Sequence, residues 1–122
     1  MVYSIIQFGI STGTVTATEI NRTATGAANL VPIAYGSISS TGVINSGTGN
    51  FTVTNPTAGA YAINITGEGY TNSGYITNLT VVSGTTVRLC TTGQGGGNLQ
   101  VSIFDLSGTL VNAAFHFTVY KQ

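Results

Sequence analysis

Apolar and hydroxylated residues alternate with a period of two along most of the chain. Thr14, Thr16 and Thr18 interleave with Val15, Ala17 and Glu19, and Phe51 and Val53 with Thr52 and Thr54. Successive side chains of an extended chain point to opposite faces, so each such segment presents one apolar and one hydroxylated face. β-branched and aromatic residues fill the segments, and Gly, Asn and Ser interrupt them about every eight to twelve residues, as in all-β proteins. The pattern predicts about ten strands: Val2–Ile10, Thr14–Ile20, Val31–Ser39, Gly42–Ser46, Asn50–Thr54, Ala60–Thr66, Tyr75–Val82, Thr86–Thr91, Leu99–Leu106 and Thr109–Tyr120. No window carries a helical repeat, and Gly, Thr and Asn lower helix propensity throughout. Thr23–Asn29 fits a linker or a short helical turn. It separates residues 1–30, read as an amino-terminal strand and attachment or stem segment, from a main domain over 31–122.

The connections carry turn chemistry. Asp105-Leu-Ser-Gly108 suits a tight turn, with Asp bonding the backbone ahead of it and Gly taking positive φ, and predicts antiparallel pairing of its flanking runs. In Asn55-Pro-Thr-Ala-Gly59 the proline is expected to close one strand and the glycine to open the next. Gly93-Gln-Gly-Gly-Gly97 reads as a flexible loop. Strands this short in a chain of 122 residues fit a two-sheet sandwich of jelly-roll type.

Charge narrows the function classes. Lys plus Arg total three and Asp plus Glu three, so 5% of residues are charged and the net charge is zero. Soluble domains usually carry about 25%. A monomer of this size exposes roughly 6,000 Å², so Thr, Ser, Asn and Gly must supply its polar surface. No basic patch exists for nucleic acid or acidic membranes, and nucleic acid is not an expected partner. No apolar run approaches the roughly 20 residues of a membrane helix, so no membrane insertion is expected. Val2–Ile10 lacks a basic flank and a small-residue cleavage site, and reads as a strand and not as a signal peptide. Charges normally guard the edges of sheets, and neutral proteins tend to associate. A closed homo-oligomer that buries the least polar face answers that need.

The segment Phe51-Thr-Val-Thr-Asn-Pro-Thr-Ala-Gly-Ala-Tyr61-Ala-Ile, preceded by Gly47-Thr-Gly-Asn50, resembles the Phe, Pro, Gly, x, Tyr signature of the trimeric jelly rolls of complement globular heads and tumour-necrosis-factor-like domains. The ending, Asp105-Leu-Ser-Gly-Thr-Leu-Val with Ala114-Phe-His-Phe-Thr-Val-Tyr120, is similar to the final hairpin of such domains, including those at phage tail-fibre tips. The resemblance runs from Pro32 to Tyr120. It implies a threefold trimer with Phe51, Tyr61, Phe115 and Phe117 in the core or near the axis. The acidic calcium loops of some relatives have no counterpart, so calcium binding is not carried over.

Candidate chemistry is sparse. His116 alternates with Phe115 and Phe117 and so faces away from both; three copies around an axis would offer a metal or anion site, but no acidic residue adjoins it and a solvent or interface imidazole is the simpler reading. Cys90, flanked by Leu89 and Thr91, reads as a small buried hydrophobe and not as a nucleophile served by His116. A lone cysteine forms no internal disulfide. Asp105 and Ser107 are explained by their turn, which lacks the nucleophile elbow of a hydrolase. Glu19 and Glu68 are not placed as a glycosidase pair, and Gly93–Gly97 lacks the Lys-Ser or Lys-Thr of a phosphate loop. Asn21, Asn50, Asn64 and Asn78 each begin an Asn-x-Thr triplet, which composition alone would produce. Tyr70 and Tyr75 flank polar loop residues. With Asn72 and Gln94 they form a candidate glycan site, against the plainer reading of aromatics packed on the sandwich rim.

These readings lead to a non-enzymatic trimeric β module without metal, cofactor or catalytic residues. The expected role is a virion fibre tip or knob contacting a cell-surface glycan or receptor, extracellular when the virion is mature. The alternatives are a capsid-decorating or head-fibre assembly protein and a lectin-like module of a bacterial surface.

Overall fold

The computed structural model describes residues 31–122. The predicted strands Val2–Ile10 and Thr14–Ile20, the stretch Thr23–Asn29, Glu19, Asn21 and the 1–30 segment as a whole lie outside the described residues. Eight strands follow in order: β1 (Ala34–Ile38), β2 (Ile44–Gly47), β3 (Phe51–Thr57), β4 (Ala60–Ile65), β5 (Tyr75–Val82), β6 (Leu89–Gly95), β7 (Asn98–Phe104) and β8 (Ala114–Lys121). They form two four-stranded antiparallel sheets, β2-β1-β8-β5 and β3-β4-β7-β6. The described residues contain no helix. The two sheets bury their apolar faces against each other as a β-sandwich.

Alternation explains the core. Along β8, Phe115, Phe117 and Val119 are buried while His116 between the first two is exposed, and along β7 Leu99, Val101 and Ile103 are buried. Phe51 meets Phe117 edge-on, with ring centroids 5.0 Å apart, and Tyr61 meets Phe115 at 4.9 Å. Each such side chain contributes about 1.5–3 kcal/mol through burial, and edge-to-face aromatic geometry adds to it. Gly36 lets this cluster close. A Cβ built there would sit 2.5 Å from Phe51 Cζ and 3.0 Å from Phe117 Cε1, so the strand must be bare at that point.

Three local expectations change. Gly93–Gly97 is mostly strand: β6 runs to Gly95, and Gly96-Gly97, with φ of 60° and 81°, make a two-residue hairpin turn closed by the Gly95–Asn98 pair. Both turn positions need positive φ, which glycine adopts without steric cost. Pro56 does not end β3 but sits in a bulge between Thr54 and Thr57, tolerated because β3 is an edge strand. The Asp105–Gly108 turn forms, but its flanks pair only through the Phe104–Leu110 bridge before Val111–Ala113 carries the chain to the other sheet. The reason is burial: Phe115, Phe117 and Val119 fit between β1 and β5 opposite β7 and not beside it.

The connections sort to two ends. At the basal end Ile33 N–H donates to Val119 O and Gln122 N–H to Gly74 O. The 66–74 loop and the Gly96-Gly97 turn meet there through Tyr70 N–H and Gly97 O, at 2.9 Å. At the apical end lie the turns around Ser39–Val43, Ala58–Gly59, Ser83–Thr86 and Asp105–Thr109.

Candidate functional site

Tyr70, Asn72, Tyr75 and Gln94 come from the 66–74 loop, β5 and β6, and the fold brings all four to the basal end. The Tyr70 and Tyr75 rings stack with centroids 5.1 Å apart and planes inclined by 25°. Both are buried, at 4% and 7% exposure, so the stack is part of the rim packing and offers no open ring face to a sugar. Tyr70 Oη and Thr77 Oγ1 share a hydrogen bond of 2.8 Å. The Gln94 amide oxygen accepts from Asn72 N–H at 2.6 Å, which fastens the loop to β6. The exposed polar surface of this cluster is therefore that of Asn72 and Gln94.

A charged clasp completes the basal end. Tyr75 Oη donates to Glu68 Oε1 at 2.7 Å, and Lys121 Nζ lies 2.8 Å from the same oxygen. The ammonium also sits 5.8 Å from the Tyr75 ring centroid, within cation–π range. The bonds from Lys121 and then Tyr75 hold Glu68 below the ordinary glutamate range. The same carboxylate raises Tyr75 and Lys121. A carboxylate so engaged is a structural partner and not a poised general base.

The remaining ionisable groups are scattered. Cys90 is partly buried against the core and pairs with Ile103 in one sheet, whereas His116 is exposed on the outer face of the other, so they form no nucleophile and base pair. Asp105 Oδ1 accepts from Ser107 Oγ at 2.7 Å, Ser107 N–H at 2.9 Å and Thr109 N–H at 3.0 Å. These bonds, the Ser107 hydroxyl first, hold Asp105 below the ordinary aspartate range. The residues Asp105 and Ser107 thus build a turn. Among the described residues no three His, Cys, Asp or Glu side chains group as metal ligands.

Phe51, Tyr61, Phe115 and Phe117 all lie between the two sheets, as core residues of the sandwich. Tyr35 and Ile76, each half exposed, project from the outer face of β2-β1-β8-β5, where register sets Tyr35 beside Thr118, Thr118 beside Asn78, and Ile76 beside Tyr120. An open depression of about 410 Å³ lies on this face, lined by Tyr35, Ser37, Ser46, His116 and Thr118 and by Gly36 and Phe117. Sequence alternation marks these positions as outward, but only the strand order reveals that they share one face. The opposite outer face carries Thr52, Asn64 and Asn98 in neighbouring rows, with Asn64 Nδ2 donating to Asn98 Oδ1 at 2.8 Å. Asn50 Nδ2 likewise donates to Ile33 O at 2.9 Å, so two of the Asn-x-Thr amides serve structural bonds. No family model, curated protein or solved structure matches the chain.

Proposed function

We propose that this chain is a non-enzymatic virion module, a jelly-roll sandwich that assembles as a homotrimer and serves as a fibre tip or knob contacting a cell-surface ligand. The observation that carries the reading is the outer face of β2-β1-β8-β5. Tyr35 and Ile76 stand half exposed there among Thr118, Asn78 and Ser37, with His116 the one ionisable side chain besides tyrosine among the described residues. A face with aromatic and aliphatic side chains and almost no charge is suited to burial against its own copies. The strand order supports the jelly-roll part: β1 and β8, first and last of the described strands, pair centrally in one sheet, and the chain changes sheet four times around the core. The structural use of Glu68, Asp105 and Lys121 supports a role without resident chemistry.

The described chain begins at the basal end, where Ile33 N–H donates to Val119 O, so use of the preceding residues as a stem would direct the apical turns outward. The experiment is light scattering behind a sizing column on the full chain and on Tyr35→Arg and Ile76→Arg. A wild-type trimer that the arginines dissociate, with unchanged circular dichroism, is expected. A monomeric wild type at micromolar concentration overturns the assembly.

A further inference from the structure

The open depression of about 410 Å³ on the outer face of β2-β1-β8-β5 lies toward its β2 side. Register explains it. Ser46 pairs with Ser37 and Ser37 with His116, while Tyr35 pairs with Thr118 in the next row of the same face. Small side chains at Ser37, Ser46 and Thr118 thus lie beside the larger Tyr35 and His116, and the surface among them is low. Sites for small molecules fall in the range of about 300–1,000 Å³, which includes this one.

Each of these five side chains ends in a hydrogen-bonding group, and none of those groups is bonded to another of the described residues. Hydroxyls elsewhere hold turns in place. Ser39 and Thr41 share a bond of 3.2 Å, Thr48 Oγ1 donates to Asn50 Oδ1 at 2.6 Å, and Ser107 Oγ donates to Asp105 Oδ1 at 2.7 Å. The groups of the depression build nothing within the domain and converge on one open space. Tyr35 differs in the same way from the basal tyrosines. It is half exposed and stacks on no other ring among the described residues, whereas Tyr70 and Tyr75 are buried against each other. No Lys, Arg, Asp or Glu among the described residues lines the depression.

We infer that the depression binds a neutral pyranose, one sugar of a glycan. This rests on the proposed function, whose cell-surface ligand it names by chemistry. A pyranose has a face of C–H groups, which packs on an aromatic ring, and a rim of hydroxyls, each both donor and acceptor. Tyr35 supplies the ring. Ser37, Ser46 and Thr118 supply hydroxyls that also donate and accept, and a neutral imidazole adds one donor and one acceptor. A lining without Lys or Arg suits an uncharged sugar, since a carboxylate or phosphate is met best by a cationic donor. β1 and β8 pair at the centre of the sheet, so four of the five groups are held in place before binding, which limits the cost of ordering them. Self-association takes the β5 side, where Ile76 stands across β8 from the depression, and Tyr35 borders both. One shallow site binds a single sugar weakly, and three sites on one trimer convert that into avidity.

The test is NMR titration of the full chain with the methyl glycosides of glucose, galactose, mannose and N-acetylglucosamine, run beside light scattering. At least one glycoside is expected to bind with a Kd of about 1–10 mM. It should shift the amide signals of Ser37, His116 and Thr118 and leave those of Asn72 and Gln94 in place. Ser37→Val and His116→Phe, which keep the size of the side chain and remove its hydrogen-bonding group, are each expected to weaken binding about three- to tenfold. Thr52→Ala on the opposite outer face should leave it unchanged. Absence of binding by all four glycosides overturns the inference, as does undiminished binding by a folded Ser37→Val, His116→Phe variant. Binding of glucuronic acid with no neutral glycoside bound overturns it too. A trimer that binds no glycoside sinks the sugar site alone; a monomer that binds one through Ser37 and His116 sinks the trimer alone.

Discussion

The hydroxyl of Tyr61 on β4 donates to the carbonyl of Ser40 at 2.6 Å, joining the β1–β2 turn of one sheet to the middle of the other. The same oxygen accepts from Ala113 N–H at 3.2 Å, just before β8 begins. Gly59 N–H donates at 2.7 Å to the side chain of Asn112 beside it. One phenol thus fastens the apical turns over the Tyr61–Phe115 contact, and burial raises its pKa.

Tyr61→Phe keeps the ring and strips these bonds. The part-buried Ser40 carbonyl and the buried Ala113 amide left without their partner cost about 1–3 kcal/mol. The expected outcome is a lower urea midpoint with an unchanged slope, and amide exchange accelerated at Ala113 more than at Leu99.

Gly36→Ala tests the closeness of the strand to the aromatic pair. The added Cβ would meet Phe51 Cζ at 2.5 Å, and Phe51 is held edge-on to Phe117. Overpacking of this kind costs about 1–3 kcal/mol. Phe51→Leu in the alanine background is expected to recover part of the loss, measured by thermal unfolding.

Acid is expected to weaken the fold in two places. Glu68 and Asp105 both lie below their ordinary carboxylate ranges in the folded chain. Their stabilisation is whole above the unfolded values and is lost as pH falls through the folded ones. Lys121, raised by Glu68, adds stabilisation that is present below the ordinary lysine value and is lost as pH rises through its folded value. Urea midpoints followed across pH should show a plateau between these limits. Glu68→Gln should flatten both limbs, whereas Asp105→Asn should flatten the acid limb alone.

Gln94→Ala should loosen the basal loop without unfolding the domain. Its amide oxygen is the acceptor for Asn72 N–H at 2.6 Å. Hydrogen exchange at Asn72 should accelerate while global stability falls by no more than about 1.5 kcal/mol, the net worth of one hydrogen bond.

Much of the sandwich can be read from period-two alternation, because a strand buried on one side must alternate. Tyr75–Val82 is predicted with the bounds observed, and Ala60–Thr66 differs by one residue. The Gly-rich stretch misleads, since glycine weakens a strand in isolation but is held here by pairing of Gly93 with Gln100. Asp105–Gly108 shows the limit of local chemistry. The side chain of Asp105 dictates a turn, but no local signal says that the chain leaves the sheet after the Phe104–Leu110 bridge. The Tyr70 and Tyr75 pair is visible as two aromatics near a loop; that their rings stack inward is not, because the sequence gives the spacing of side chains and not what covers them.

The all-β class, the inward and outward positions of most strands, and a surface built from hydroxyls and amides are local properties, since they depend on neighbours one or two residues apart and on composition. Tertiary structure decided which faces coincide. It set Tyr35 and Ile76 on one sheet, Leu89, Phe104 and Leu110 in one row of the other, and the Tyr70, Asn72, Tyr75 and Gln94 cluster at the end where Ile33 pairs with Val119. Such groupings depend on strand order and register, which long-range burial selects and no local pattern encodes.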